Sequence, residues 1–186
     1  MANLFWDSNV FIAFLNKESE AYDIDSIAQY IEETQNNKHR IFTSGIAFVE
    51  ITSSRIRNPN YDTFQEFLDD FESLIIPISP DPNILTLAGE LKDLKYKKNN
   101  SNKRILTTGD ATMLATALEL EEVYSTSIDY FHTFDKGNGP RSVEGGKGIP
   151  LLTFEEWCEG LEDDPLAKRV IKMKRCEPIH PEKPLL

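Results

Sequence analysis

The chain has 186 residues, 40% of them hydrophobic and 27% charged, with a formal net charge of −11. That length buries one real core, and the acidity argues against nonspecific coating of nucleic acid. No apolar run approaches the ~20 residues that span a bilayer, and two cysteines make no disulfide framework, so a cytoplasmic protein with no membrane partner is expected.

Short apolar strands alternate with amphipathic helices along the chain. "NLFW" (3–6) reads as a buried strand, followed directly by a helix through "NVFIAFL". Ile24, Ile27, Ala28 and Ile31 recur at helical spacing and predict a helix over 23–36. "RIFT" (40–43) reads as a strand and "SGIAFVEITSSR" as a helix opened by Ser44. Phe64, Phe67, Leu68, Phe71 and Leu74 mark another helix, and "LIIPI" (74–78) a strand whose Pro77 suggests an edge. Ser79-Pro80-Asp81-Pro82 starts a helix over 83–95.

"GDATMLATALELE" (109–121) is the cleanest helical pattern, followed by a strand in "VYSTS" (123–127). "IPLLT" (149–153) reads as a last strand and "FEEWCEGL" as a short helix, with loops over 96–106 and the glycine-rich 136–148. Strands separated by single helices predict an α/β fold: three layers, α/β/α, around a mostly parallel sheet. Residues 1–155 make the domain; 156–186 carry a C-terminal helix and a charged, proline-containing tail.

The polar breaks in these apolar segments are acidic. Asp7 follows the first strand, Glu50 lies inside "GIAFVEI", Asp110 opens a helix and Asp129 follows "VYSTS". In parallel α/β sheets ligands collect beyond the carboxyl ends of the strands, where these acids are expected. Taken singly, Asp7 and Asp110 also read as helix caps, and Asp129 as a turn residue. If they converge, their repulsion calls for a hard divalent cation such as Mg²⁺ or Mn²⁺, the usual apparatus for cutting phosphodiesters. His39, His132 and His180 are far apart in sequence and predict no zinc site. "GGKG" (145–148) lacks the glycine and hydroxyl of a phosphate loop, and Asp7-Ser8-Asn9 lacks the paired acid of an aspartate-nucleophile phosphatase.

In their order and context, "FWDSNVFIAFL", "IFTSGIAFVEI", "GDATMLATALEL" and "VYSTSID" resemble the successive motifs of PIN domains, which include the VapC-type ribonuclease toxins. The resemblance covers about residues 3–155. It implies a metal-dependent endoribonuclease whose Asp7, Glu50, Asp110 and Asp129 hold Mg²⁺ or Mn²⁺, with Asn9 and Thr126 orienting ligands or water. The family's fourth motif is Thr-x-Asp, often with a second Asp two residues on. Ser127 stands here in the first acidic position, Asp129 in the second, and Asp135 is a further candidate. Lys97, Lys98, Lys103, Arg104 and Arg141 are the expected grip on RNA. The implied partners are an RNA substrate and a small antitoxin, with a homodimer as a further expectation. The alternative is a noncatalytic PIN scaffold that binds RNA or protein.

Overall fold

The computed structural model describes residues 1–71, 74–97, 104–137 and 148–181. Five strands form one all-parallel sheet: β1 (Ala2–Trp6), β2 (His39–Ser44), β3 (Ile75–Ile78), β4 (Tyr130–His132) and β5 (Arg175–Cys176). Their order is β3-β2-β1-β4-β5, so the chain winds outward from β1 and returns to β1's other edge. The order therefore reverses between β1 and β4. Crevices for ligands open at such points, beyond the strands' carboxyl ends.

Helices cover both faces, giving the expected three-layer α/β/α architecture. The chain leaves β1 directly into α1 (Ser8–Leu15), and α2 (Ile24–Gln35) packs on α1. α5 (Pro82–Asp93) packs on α6 (Thr108–Glu122), which crosses β2. Two short helices, α3 (Ala47–Glu50) and α4 (Phe64–Asp69), connect β2 to β3, and α7 (Pro165–Lys172) precedes β5. Alternation along β1 divides the core. Trp6 meets Phe11 of α1 and His132, whereas Phe5 stacks on Phe131. Every residue from Ala111 to Leu120 is buried, so α6 is an interior helix. Among the described residues, no helix is long and apolar enough to cross a membrane.

Caps decide several boundaries. Asp23, Thr63, Asp81 and Thr107 each accept a backbone N–H in the first turn of the helix they precede. The predicted long helix over 44–55 is not formed. β2 runs through Ser44, α3 spans only Ala47–Glu50, and Ser53–Arg55 make a 3₁₀ turn. Ile51-Thr52-Ser53-Ser54 is a run of weak helix formers, which accounts for the early end.

The second half departs further from expectation. "VYSTS" is not a strand: Val123 caps α6, Val123 and Tyr124 are exposed, and Ser125 turns through φ 49°. β4 instead begins at Tyr130. "IPLLT" is not a strand either, beyond a bridge from Gly148 to Ile105. Pro150 lacks a donor, and Ile149 and Leu151 are buried in the core instead. β5, from the expected tail, takes the sheet edge.

Arg175 joins these late segments. Its guanidinium donates to the Leu151, Val170 and Met173 carbonyls, pairs with Glu155 at 2.6 Å and lies over the Phe154 ring. Arg175→Met keeps the buried stem and removes these bonds. It should lower unfolding free energy by about 2–4 kcal/mol in urea denaturation, because several buried acceptors lose their donor.

Candidate active site

Asp7 ends β1 and begins α1, and its backbone N–H donates to the His132 carbonyl of β4 (3.0 Å). The next residues of the β4 chain are Thr133-Phe134-Asp135. The Thr133 hydroxyl donates to Asp7 Oδ2 at 2.7 Å and accepts from Asn9 Nδ2 and from the Asp135 N–H, each at 3.0 Å. Asn9 Nδ2 also lies 2.6 Å from Asp7 Oδ2, and Asn9 Oδ1 accepts from Phe134 N–H. Asp7 is therefore held from both sides of the sheet's switch point.

Glu50 ends α3 and reaches back into the same cleft, where Ser8 Oγ donates to its Oε2. Asp110 sits in the first turn of α6, with its Oδ2 accepting from Thr107 at 2.6 Å. Asp135 accepts from the Gly137 and Leu151 N–H groups. All four acids line one cleft of about 600 Å³. Ile12, Tyr22 and Phe134 form an apolar wall there, while Arg55 and Lys136 also line the cleft.

The electrostatics set this group apart. Burial pushes Asp7 well above the carboxylate range, and Glu50, Asp110 and Asp135 push it further, against the Thr133 hydrogen bond. Burial raises Asp110 to about 7, with Asp135 and Glu50 adding to the rise and Thr107 opposing it. Glu50 is raised by burial, opposed by Ser8 and Arg55. Arg55 offsets part of the negative charge at Glu50, but among the described residues no cation is ion-paired with Asp7, Glu50 or Asp110.

Asp129 lies elsewhere. It precedes β4, at the sheet's opposite end, where its Oδ2 accepts from Asn3 N–H at 2.8 Å. Ser127 offers its carbonyl to Asn3 Nδ2, and Thr126 bonds back to the Leu120 and Tyr124 carbonyls. The expected placement of these three residues at the cleft is corrected by the later start of β4. Thr-x-Asp does follow the strand, as Thr133-Phe134-Asp135; the signal was that triplet directly after "YFH". Lys97 pairs with Glu159, and Arg104 lies over the Trp157 ring and donates to the Gly148 carbonyl. Neither lines the cleft. Lys98, Lys103 and Arg141 lie outside the described residues. Lys136, in the glycine-rich stretch that sequence reasoning had offered as part of the RNA grip, does line the cleft, whereas Ser8, Thr107, Thr133, Arg55 and Tyr22 line or brace it and were not singled out from sequence.

A parallel sheet whose order reverses beside a carboxylate cleft defines an α/β protein with an acidic site at its switch point. The chain belongs to the PIN domain family, whose model matches residues 4–137. Among solved structures it is similar to VapBC2 from Rickettsia felis, in a crystal structure bound to a DNA fragment from their promoter. The identity is 19% and the TM-score 0.44, over 70% of this chain and 86% of that chain. No curated protein matches it.

The raised acids bind protons more tightly in the folded chain than in the unfolded one, so they oppose folding as pH rises from about 4 to about 7. Asp110→Asn removes one of them while keeping its shape. In urea titrations with a chelator present, its stability gain over wild type should grow across that window to about 2–4 kcal/mol. A pH-independent difference would show that Asp110 is not held in this way.

Proposed function

We propose that this PIN domain is a metal-dependent endoribonuclease, with Mg²⁺ or Mn²⁺ held by Asp7, Glu50, Asp110 and Asp135. The observation that carries the reading is that four acids from separate elements line one cleft, with Asp7 buried, Glu50 and Asp110 half-buried, and none of these three in an ion pair among the described residues. Asp135 takes the role that the sequence reading gave to Asp129. The donor set fits a hard cation, since carboxylate, amide and hydroxyl oxygens surround the cleft. When bound, such a cation neutralises charge on the phosphate and makes water acidic enough to act as the nucleophile.

The chain's own groups do the rest. Thr133 and Asn9 fix Asp7, Ser8 fixes Glu50, Thr107 fixes Asp110, and two backbone N–H groups fix Asp135. This orientation keeps carboxylate oxygens aimed into the cleft without reorganisation during reaction. Arg55 draws the polyanion in beside Lys136, whose ammonium pairs with Glu177, and the Tyr22–Phe134 wall accommodates a base beside the phosphate. The noncatalytic alternative drew on Ser127 standing in an acidic position, and the presence of Asp135 in the cleft supports the catalytic reading over it. The setting we propose is a cytoplasmic toxin neutralised by a small antitoxin that covers the cleft.

Cleavage of single-stranded RNA in Mn²⁺ tests the assignment. Asp7→Asn, Asp110→Asn and Asp135→Asn should each lower the rate by about a hundredfold or more. Asp129→Ala should leave it unchanged. Loss of activity in Asp129→Ala with Asp135→Asn intact would reverse the assignment, and an inactive wild type would favour the binding scaffold. Mn²⁺ should also raise the wild-type melting temperature, and less so in Asp7→Asn.

Gly109 supplies an independent probe. A Cβ there would stand 1.8 Å from Glu50 Oε1, so Gly109→Ala must displace the Glu50 carboxylate. Alanine favours the helix by about 1 kcal/mol over glycine. The melting temperature should therefore hold while RNA cleavage falls by about a hundredfold, as a misplaced catalytic group costs.

A further inference from the structure

Spacing along the chain predicts no zinc site, yet folding brings two of the three histidines to one carboxylate. Glu33 of α2, His39 at the start of β2 and His180 beyond β5 place one ligand atom each within 4.8 Å of one another. His39 Nε2 lies 2.7 Å and His180 Nε2 3.0 Å from the same oxygen, Glu33 Oε2. Among the described residues no other three potential ligands come so close, the cleft acids included. We propose that Glu33, His39 and His180 form a binding site for a zinc-class divalent cation that fastens the C-terminal segment to the core.

The donor chemistry separates this site from the cleft. Two imidazoles and one carboxylate suit zinc, while an all-oxygen cleft suits Mg²⁺ or Mn²⁺. Both histidines turn their Nε2 atoms to the one Glu33 oxygen, so the three donors already converge on a single point. Lys38 bonds the other oxygen, Oε1, at 3.0 Å, which leaves Oε2 to the histidines and orients the carboxylate. His39 Nδ1 has no partner among the described residues and is free to take the proton that Nε2 gives up on coordination.

The surroundings are built. The turn after α2 passes through Asn37 at φ 58°, which sets His39 beside Glu33. Tyr30 packs its ring on both His39 and His180, and its hydroxyl donates to the Ile179 carbonyl. The His180 N–H donates to Ser26 Oγ. His180 is 3% exposed, so a cation there is shielded from water.

The test uses the full chain, stripped with a chelator and titrated with Zn²⁺ against a chromophoric competitor. One equivalent should bind, and the melting temperature should rise by about 5 °C or more at saturating Zn²⁺. Asp7→Asn/Asp110→Asn, which disables the cleft, should keep both responses. His180→Ala and Glu33→Gln should weaken binding by about a hundredfold or more. Because those variants also lose native hydrogen bonds, Co²⁺ is added to Asp7→Asn/Asp110→Asn, in which the cleft is disabled, as a second measurement. Intense visible bands of a four-coordinate ion support the site, and the weak spectrum of a six-coordinate ion overturns it. Zinc binding that disappears in the cleft variant, or persists unchanged in His180→Ala, overturns it equally.

Discussion

The hydroxyl of Thr133 ties together the two strands between which the sheet order reverses. It donates to the carboxylate that ends β1, accepts the amide of Asn9 in α1, and accepts the N–H of Asp135 on its own chain. One small side chain therefore sets the position of two acids and of the cleft floor between them. A buried carboxylate at that point stands only because such donors replace part of its lost hydration. The Asp7 N–H to His132 bond adds a main-chain tie, so strand pairing and site geometry are one construction. Loss of the β1–β4 register would dismantle both.

Burial of negative charge is solved in two opposite ways within this domain. At Glu33, a lysine and two histidines surround the carboxylate and pull it to about 2. In the cleft, acids face one another and burial lifts them, Asp110 to about 7. The first arrangement costs little and holds segments together. The second is a liability for folding and persists only because the surrounding structure over-determines it. Raised acids clustered in a cleft, with no ion pair among the described residues, are the pattern that supports the proposed cation site. Their wider spacing agrees with that reading, since Mg²⁺ sheds water reluctantly and keeps part of its hydration in protein sites.

Much of the first half was legible in the sequence. Strands near "NLFW" and "RIFT" are apolar runs that pair inside the sheet, "LIIPI" takes the edge that Pro77 suggests, and Asp81-Pro82 is a helix start that works locally. Asp7, Glu50 and Asp110 were found because each interrupts an apolar segment. What failed depended on tertiary pairing. β4 has three residues and β5 two, too few for any periodic signal. "VYSTS" has better strand composition than "YFH", but strand propensity yields to context. Only "YFH" lies where it can meet Leu4, Phe5 and Trp6.

That misplacement explains the whole discrepancy at the fourth acid. Placing the strand too early put Ser127 in the acidic position and promoted Asp129, which in fact secures the start of β1 through Asn3. The histidines failed for the same reason in reverse. Their sequence separation concealed a meeting that exists only once β5 has carried the chain back across the sheet to α2. The C-terminal segment is therefore part of the fold's architecture: it closes one sheet edge, and Arg175 and His180 anchor it on opposite sides of that strand. The cleft and the C-terminal segment share β4, whose backbone pairs with β1 on one side and β5 on the other. A change that loosens β5 reaches Thr133 through a single three-residue strand.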